Sequence, residues 1–228
     1  MKKGILLPAY NEEKTIGKVI KECKRYVPEA FILVVDDGSK DKTAEISKKA
    51  GAYVISHEIN KGKGEALKTG LRYFKERNYD AVVVIDADGQ YSPKDIPRFF
   101  SALKNADIVT GYRDFSKVPL RHRLGNFVWK NTFNFLFGTK LKDTNCGFFG
   151  FSKKALQEIK NIHGGYIIEN SILAEAIEKN LKIIQIPVKV EYNTKSGILR
   201  GIRVVFGVLV FILKEGIKYR LKKLIKRG

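Results

Sequence analysis

Cysteine is nearly missing from this chain: two of its 228 residues, Cys23 and Cys146. Two are too few for a disulfide framework, and neither stands in a CxxC or Cys/His metal spacing. A reducing, cytoplasmic setting fits this usage. The three histidines, His57, His122 and His163, share no ligand spacing and read as structural or exposed. Acids are scarce as well, with 24 Asp+Glu against 43 Lys+Arg and a formal net charge of +19. Long apolar runs do not occur. The first is only Ile5, Leu6 and Leu7, with acids close behind, which does not read as a signal peptide. The strongest, residues 204–213, is about half of what a bilayer span requires. Repeats and low-complexity linkers are absent. What remains is 44% hydrophobic, enough for a substantial core, which excludes a disordered chain. The length suits one domain, or one domain with an appendage.

The positive charge calls for an anionic partner: nucleic acid, an anionic membrane or a phosphorylated ligand. It is concentrated at the end, where residues 195–228 hold ten Lys or Arg and a single acid, Glu215. No helix-turn-helix, RNP or zinc pattern supports a nucleic-acid-binding protein, which stays a remote alternative. Basic charge next to the apolar run 204–213 fits anionic headgroups better. A helix of this kind lies along an interface rather than crossing it.

Along the first half, short apolar runs alternate with helical periodicity. Residues 5–7, 31–35, 52–56, 81–85 and 108–110 read as strands. Helices follow, with Asn11 as a candidate N-cap for one carrying Ile16, Val19, Ile20 and Cys23 on a single face, and Asp41 capping the next. Residues 63–77 form a third helix with a stripe of Ala66, Leu67, Gly70, Leu71 and Phe74. A capping box at 92–95 opens a fourth. Strands with little alternation, separated by helices, indicate a mostly parallel sheet covered on both faces. Beyond Arg113 come an aromatic-rich helix at 120–137, a helix from Ser152, another at 169–180, a strand at 182–191 and a helical segment from Ile198 onward. The aromatic stripe 127–137 reads equally well as core or as a lipid contact.

Open parallel sheets bind ligands at the carboxyl ends of their strands. Those ends carry Pro-Ala-Tyr-Asn-Glu at 8–12, Asp-Asp-Gly-Ser at 36–39, Asp-Ala-Asp-Gly-Gln at 86–90 and Gly-Tyr-Arg at 111–113. One such cluster is ordinary turn chemistry; four in succession describe a site. Asp86 and Asp88, with the Gln90 amide oxygen, offer hard oxygen ligands for Mg²⁺ or Mn²⁺ and leave positions open for water and a diphosphate. Asn-Lys-Gly-Lys-Gly at 60–64 lacks the spacing of a phosphate loop. It reads as a turn opening a helix, with Lys63 near the diphosphate. Glu169, at a helix start after Gly164 and Gly165, is either a general base or an acid favoured by the helix dipole.

These motifs, together with Cys-Gly-Phe-Phe-Gly-Phe at 146–151, resemble glycosyltransferase family 2, of inverting mechanism and GT-A fold. Within it they are most similar to the dolichyl-phosphate mannose synthases and polyprenyl-phosphate glycosyltransferases. The resemblance spans about residues 4–196. It implies a Rossmann-like, mostly parallel central sheet with helices on both faces as a catalytic domain at 1–196. The charge and apolar pattern of the remaining chain add, at 197–228, a basic amphipathic, membrane-associating helical tail. Pro8, Tyr10 and Glu12 would line the nucleoside pocket, and Asp37, with Asp36, would contact the base. Asp86 would reach the ribose or the metal, while Asp88 and Gln90 would hold the metal on the donor diphosphate. Arg113 and Arg123, with Arg121 as a weaker match, would meet the acceptor phosphate.

The implied reaction moves a sugar from GDP-mannose or a UDP-hexose to a polyprenyl or dolichyl phosphate. A family member acting on a sugar hydroxyl, with Glu169 as base, is the alternative. The enzyme would sit peripherally on the cytoplasmic face of a membrane, alone or with an integral-membrane partner. Two departures concern the acceptor side: no lysine stands near Glu169, and Ser196, Gly197 and Ile198 replace the family's Ser-Lys-Leu, with Lys195 displaced by one position.

Overall fold

The computed structural model describes residues 1–114, 120–191 and 198–225, and gives the backbone alone at 120–124, 166 and 198–206. Among these residues seven strands form one sheet: β1 (Lys3–Ala9), β2 (Phe31–Asp36), β3 (Tyr53–Ser56), β4 (Ala81–Val84), β5 (Ile108–Arg113), β6 (Phe149–Ser152) and β7 (Ile183–Val188). Their order is β3-β2-β1-β4-β6-β5-β7. All pairings are parallel except those of β6, which runs antiparallel between β4 and β5.

Among the described residues eight α-helices flank the sheet: α1 (Ile16–Tyr26), α2 (Thr43–Lys49), α3 (Lys63–Glu76), α4 (Ile96–Ala102), α5 (Leu120–Phe137), α6 (Lys153–Glu158), α7 (Ile168–Glu178) and α8 (Ile198–Ile225). Alternate strand residues face opposite sides. Thus Leu6, Leu33, Val35, Val82 and Val84 enter the core under α3 and α5–α8, and Ile5, Leu7, Val34, Val83 and Ile85 enter the core under α1, α2 and α4. Both faces being covered explains strands that are apolar throughout.

The predicted stripes of α1 and α3 are the buried ones. Asn11 does not cap α1. The helix starts later, after Thr15, and Asn11 takes a left-handed conformation (φ 54°) in which its Oδ1 accepts from the Lys40 N–H at 2.8 Å. Asp41 does accept from the first N–H of α2, that of Thr43, at 2.9 Å. The strand foreseen at 182–191 is shorter, and Val190 returns only as an isolated bridge to Tyr91.

The segment expected as a tail is packed on the core. Val208 and Ile212 of α8 are buried in the same cluster as Phe133 and Phe137 of α5 and Ile168 and Ile172 of α7. The aromatic stripe of α5 divides: Phe133 and Phe137 are core, whereas Phe127 and Phe135 are exposed. Among the described residues no helix is long and apolar enough to cross a membrane.

Candidate active site

Register brings the polar strand ends to one edge. Ala9 pairs with Asp36, the Asp37 N–H donates to the Ala9 carbonyl at 2.8 Å, and the Ile85 N–H donates to Leu6 at 3.1 Å. The chain leaving β1, β2 and β4 therefore emerges side by side. There it lines a cleft of about 300 Å³ walled by Pro8, Ala9, Tyr10, Glu12, Asp37, Asn60, Lys63, Ala66, Asp86, Ala87 and Asp88. Three of the four predicted clusters meet in this cleft.

Asp37 is 2% exposed and already engaged. It accepts from the Lys61 N–H at 3.0 Å, the Gly62 N–H at 2.7 Å and His57 Nδ1 at 2.7 Å. His57 is pinned from its other nitrogen by Thr69 Oγ1 at 3.0 Å. Asp37 thus fixes the 60–62 loop as a wall of the cleft. Gly38 permits this closeness. Its φ is +71°, and a Cβ there would stand 2.5 Å from the Ile59 carbonyl carbon. Asp36 does not line the cleft; its Oδ1 accepts from the Ser39 N–H at 3.2 Å.

Carboxylates in the acidic corner raise one another's proton affinity. Burial first, then the charges of Asp88, Asp41 and Asp86, hold the Glu12 carboxyl above its ordinary pKa, against a lowering hydrogen bond from Thr15. Burial, then Asp86, does the same for Asp88, although the Gln90 N–H donates to it at 2.9 Å. Gln90 enters this corner through its main chain, its carbonyl accepting from Glu191 N–H at 2.9 Å, and is not among the cleft-lining residues. The neighbouring cation is Lys63, whose Nζ lies 2.6 Å from Asp86 Oδ1 and 3.8 Å from Glu169 Oε1. Burial alone would lower the pKa of this ammonium, but Asp86 and Glu169 outweigh it and hold it above its ordinary value. Among the described residues no three His, Cys, Asp or Glu side chains converge as a metal cage. Asp86 and Asp88, with Glu12 nearby, are hard carboxylate donors of the kind a divalent cation takes when a diphosphate and water supply its remaining ligands.

Glu169 belongs to this site rather than to the surface. Its side chain is 15% exposed, and burial foremost raises its pKa despite Lys63. Asp86 and Arg113 both act on it, upward and downward respectively. Arg113, at the end of β5, is gripped by a residue that the sequence reading missed. Asp143 accepts from Arg113 Nε at 2.7 Å, from its second terminal nitrogen at 3.0 Å and from its backbone N–H at 3.2 Å. Such a fork holds the guanidinium plane in one orientation. The Asn145 N–H donates to Asp143 at 3.0 Å, and Asn170, beside Glu169 on α7, donates to the Asn145 side chain at 2.6 Å.

Tyr91 was also missed. Its buried hydroxyl accepts from the Gly147 N–H at 3.1 Å. Gly147 is needed there, because a Cβ would lie 2.7 Å from Asp86 Oδ2 and 3.2 Å from Lys63 Nζ. Cys146 is fully enclosed, its thiol pushed up to about 12 by burial, so it takes no part as a nucleophile. Arg121, Arg123, Lys195, Ser196 and Gly197 lie outside the described residues and side chains.

The sequence signature "Glycosyl transferase family 2" matches residues 4–160. The chain belongs to that family. As a family 2 glycosyltransferase it is 32% identical over 233 residues to UDP-N-acetylglucosamine–dolichyl-phosphate N-acetylglucosaminyltransferase of Methanococcus voltae, covering 91% of this chain and 92% of that one. It is 27% identical to the dolichyl-phosphate hexose transferase of Haloferax volcanii, covering 85% and 84% of the two chains. In fold the glycosyltransferase matches glucosyl-3-phosphoglycerate synthase of Mycobacterium tuberculosis, crystallised with Mn²⁺, UDP-glucose and phosphoglyceric acid. That match has a TM-score of 0.78 at 23% identity and covers 94% of this chain and 79% of that one. The central sheet with helices on both faces is thus the GT-A fold.

Proposed function

We propose that this glycosyltransferase moves a hexose from a nucleoside-diphosphate sugar, GDP-mannose or a UDP-hexose, to the phosphate of a polyprenyl or dolichyl lipid. The observation that carries the reading is the cleft at the carboxyl ends of β1, β2 and β4, where Glu12, Asp86 and Asp88 meet. Arg113, at the end of β5 on the same sheet edge, is held in one orientation by Asp143. The names of the relatives from Methanococcus and Haloferax agree with a lipid-phosphate acceptor.

In this reading Pro8 and Tyr10 flank the nucleoside, Asp37 keeps the 60–62 loop against it, and Asp36 supports the neighbouring turn. Asp86 and Asp88, with Gln90 at the same corner, would hold Mg²⁺ or Mn²⁺ on the diphosphate. Bound there, the cation stabilises negative charge on the departing nucleoside diphosphate. Lys63 is within reach to share that charge once the diphosphate draws it from Asp86. Arg113, with Arg123, orients the acceptor phosphate for in-line attack, which inverts the anomeric carbon. A phosphate is anionic at neutral pH, so orientation matters more than proton removal. The enzyme would work peripherally, on the cytoplasmic face of a membrane.

A second reading has one observation in its favour. Glu169 is a buried carboxyl with raised proton affinity beside Lys63, as a base for a sugar-hydroxyl acceptor would be. Glu169→Gln separates the two. Loss of base catalysis should cost about 10²–10⁴-fold in kcat, whereas transfer to a phosphate acceptor should stay within about tenfold. The primary test is a panel of UDP- and GDP-sugars with Mg²⁺ or Mn²⁺, offered a polyprenyl phosphate and, separately, sugar acceptors. Cation-dependent formation of a lipid-linked sugar is expected. Transfer to sugar hydroxyls alone, or full turnover in excess EDTA, would overturn the proposal.

A further inference from the structure

We infer that the outward side of α8 is a docking surface for an anionic bilayer. The inference deepens the functional reading above, because a polyprenyl phosphate is presented at a lipid surface. One side of α8 is used by the fold: Val208 and Ile212 are buried, Gly216 meets Leu136, and Tyr219 stacks on Phe137 with ring centroids 5.3 Å apart. On the opposite side Val210, Leu213, Ile217, Leu221 and Leu224 recur at steps of three and four residues, and each is 40–65% exposed. Lone exposed apolar residues are ordinary, but a stripe of five along one helix marks a contact surface. A helix with one side buried and an apolar stripe on the other suits a second apolar contact.

Charge identifies the second partner. Residues 207–225 contain Lys214, Lys218, Arg220, Lys222 and Lys223 against the single acid Glu215, which is matched by Lys218 at 2.9 Å. By helical periodicity Lys214 and Lys218 border the stripe on one side and Arg220 on the other. Arg220 also lies 5.8 Å from the Phe135 ring of α5, which is 75% exposed and widens the apolar surface. Apolar side chains can therefore enter the headgroup boundary while Lys214 and Lys218 beside them meet lipid phosphates, with Arg220 held by the carbonyls of Phe135 and Leu136. Pairing with a second copy through this stripe would set lysine borders against lysine borders, a repulsion that an anionic surface does not impose.

The test is co-sedimentation of the full chain with phosphatidylglycerol-containing vesicles and with pure phosphatidylcholine vesicles, at about 0.15 M salt, where exposed charges are screened beyond roughly 8 Å. Wild type should bind the anionic vesicles and leave the neutral ones. Combining Ile217→Gln, Leu221→Gln and Leu224→Gln, which keeps every cation, should lower the partition coefficient by about a hundredfold. Lys214→Gln with Lys218→Gln should lower it by about tenfold. Both variants should keep the wild-type melting temperature, since the altered side chains are exposed. Binding that survives the triple change, wild-type binding to neither vesicle, or a dimer that the triple change dissolves would each overturn the inference. Transfer to a short-chain polyprenyl phosphate in detergent reads the catalytic proposal separately. Its absence alongside intact vesicle binding would sink that proposal and leave the docking surface standing.

Discussion

Asp88 shares its corner with Asp86 and Glu12, and the consequence is measurable without any substrate. Burial and like charge make Asp88, Glu12 and Glu169 hold protons more tightly in the folded chain than in the unfolded one. Where folded pKa exceeds unfolded pKa, the native state binds more protons, so stability falls as pH rises through the interval between the two. Below the ordinary carboxylate range near pH 4 both states are protonated and the loss vanishes. Asp88→Asn should therefore melt like wild type at low pH and above it at neutral pH, with calorimetry in EDTA recording the divergence. Mn²⁺ or Mg²⁺ should close the gap by stabilising wild type alone, by about 2.7 kcal/mol at a hundredfold excess over Kd. A variant no more stable than wild type at pH 7 would show that these acids are not in conflict. Asp86 and Asp88 were legible in the sequence because two carboxylates follow an apolar strand. Asp143 and Tyr91 were not. Each is a single polar residue outside any strand-end cluster, and its importance arises from a long-range partner, Arg113 or Gly147, that only the folded chain supplies.

At the scale of elements, α5 and α8 hold one another through close approach. Arg220 of α8 donates to the Leu136 carbonyl at 2.7 Å and to that of Phe135, satisfying the end of α5 where orphan carbonyls gather. Gly216 makes the approach possible, for a Cβ there would lie 2.5 Å from Leu136 Cβ. Alanine gains up to about 1 kcal/mol over glycine in a helix, but overpacking costs about 1–3 kcal/mol. Gly216→Ala should thus be a net loss, lowering the melting temperature by about 2–4 °C per kcal/mol. Gly207 lies in the same helix with open space around it, and Gly207→Ala should raise the melting temperature instead. If both changes shift it in the same direction, packing of α8 on α5 is not the deciding term. Periodicity alone exposed α1, α3 and α5 as helices, since their apolar spacing repeats over several turns. β6 went unread as a strand, because Phe148 before it enters one core and Phe149 and Phe151 the other, so no polar residue alternates with the apolar ones.

For the whole molecule, the decisive matter is whether the chain after residue 196 is an appendage. Composition argues for one, because basic residues crowd there and nucleotide-site motifs do not. Packing argues otherwise. Val208 and Ile212 close the core formed with Phe133, Phe137, Ile168 and Ile172, and α7 in turn carries Glu169 and Asn170 into the site. Full burial of a Val or Ile side chain contributes about 1.5–3 kcal/mol, so losing both removes several kcal/mol from a total of about 5–15. Residues of α5 and α7 would also be newly exposed to water. A chain ending at residue 197 should then melt at least about 10 °C lower, and both donor hydrolysis and sugar transfer should fall together. The triple glutamine change at Ile217, Leu221 and Leu224 removes the exposed stripe without uncovering the core, so it should spare the melting temperature and donor hydrolysis. Truncation that leaves melting and donor hydrolysis intact would make residues 198–225 a separable tail after all, held to the catalytic unit only by contacts it can do without.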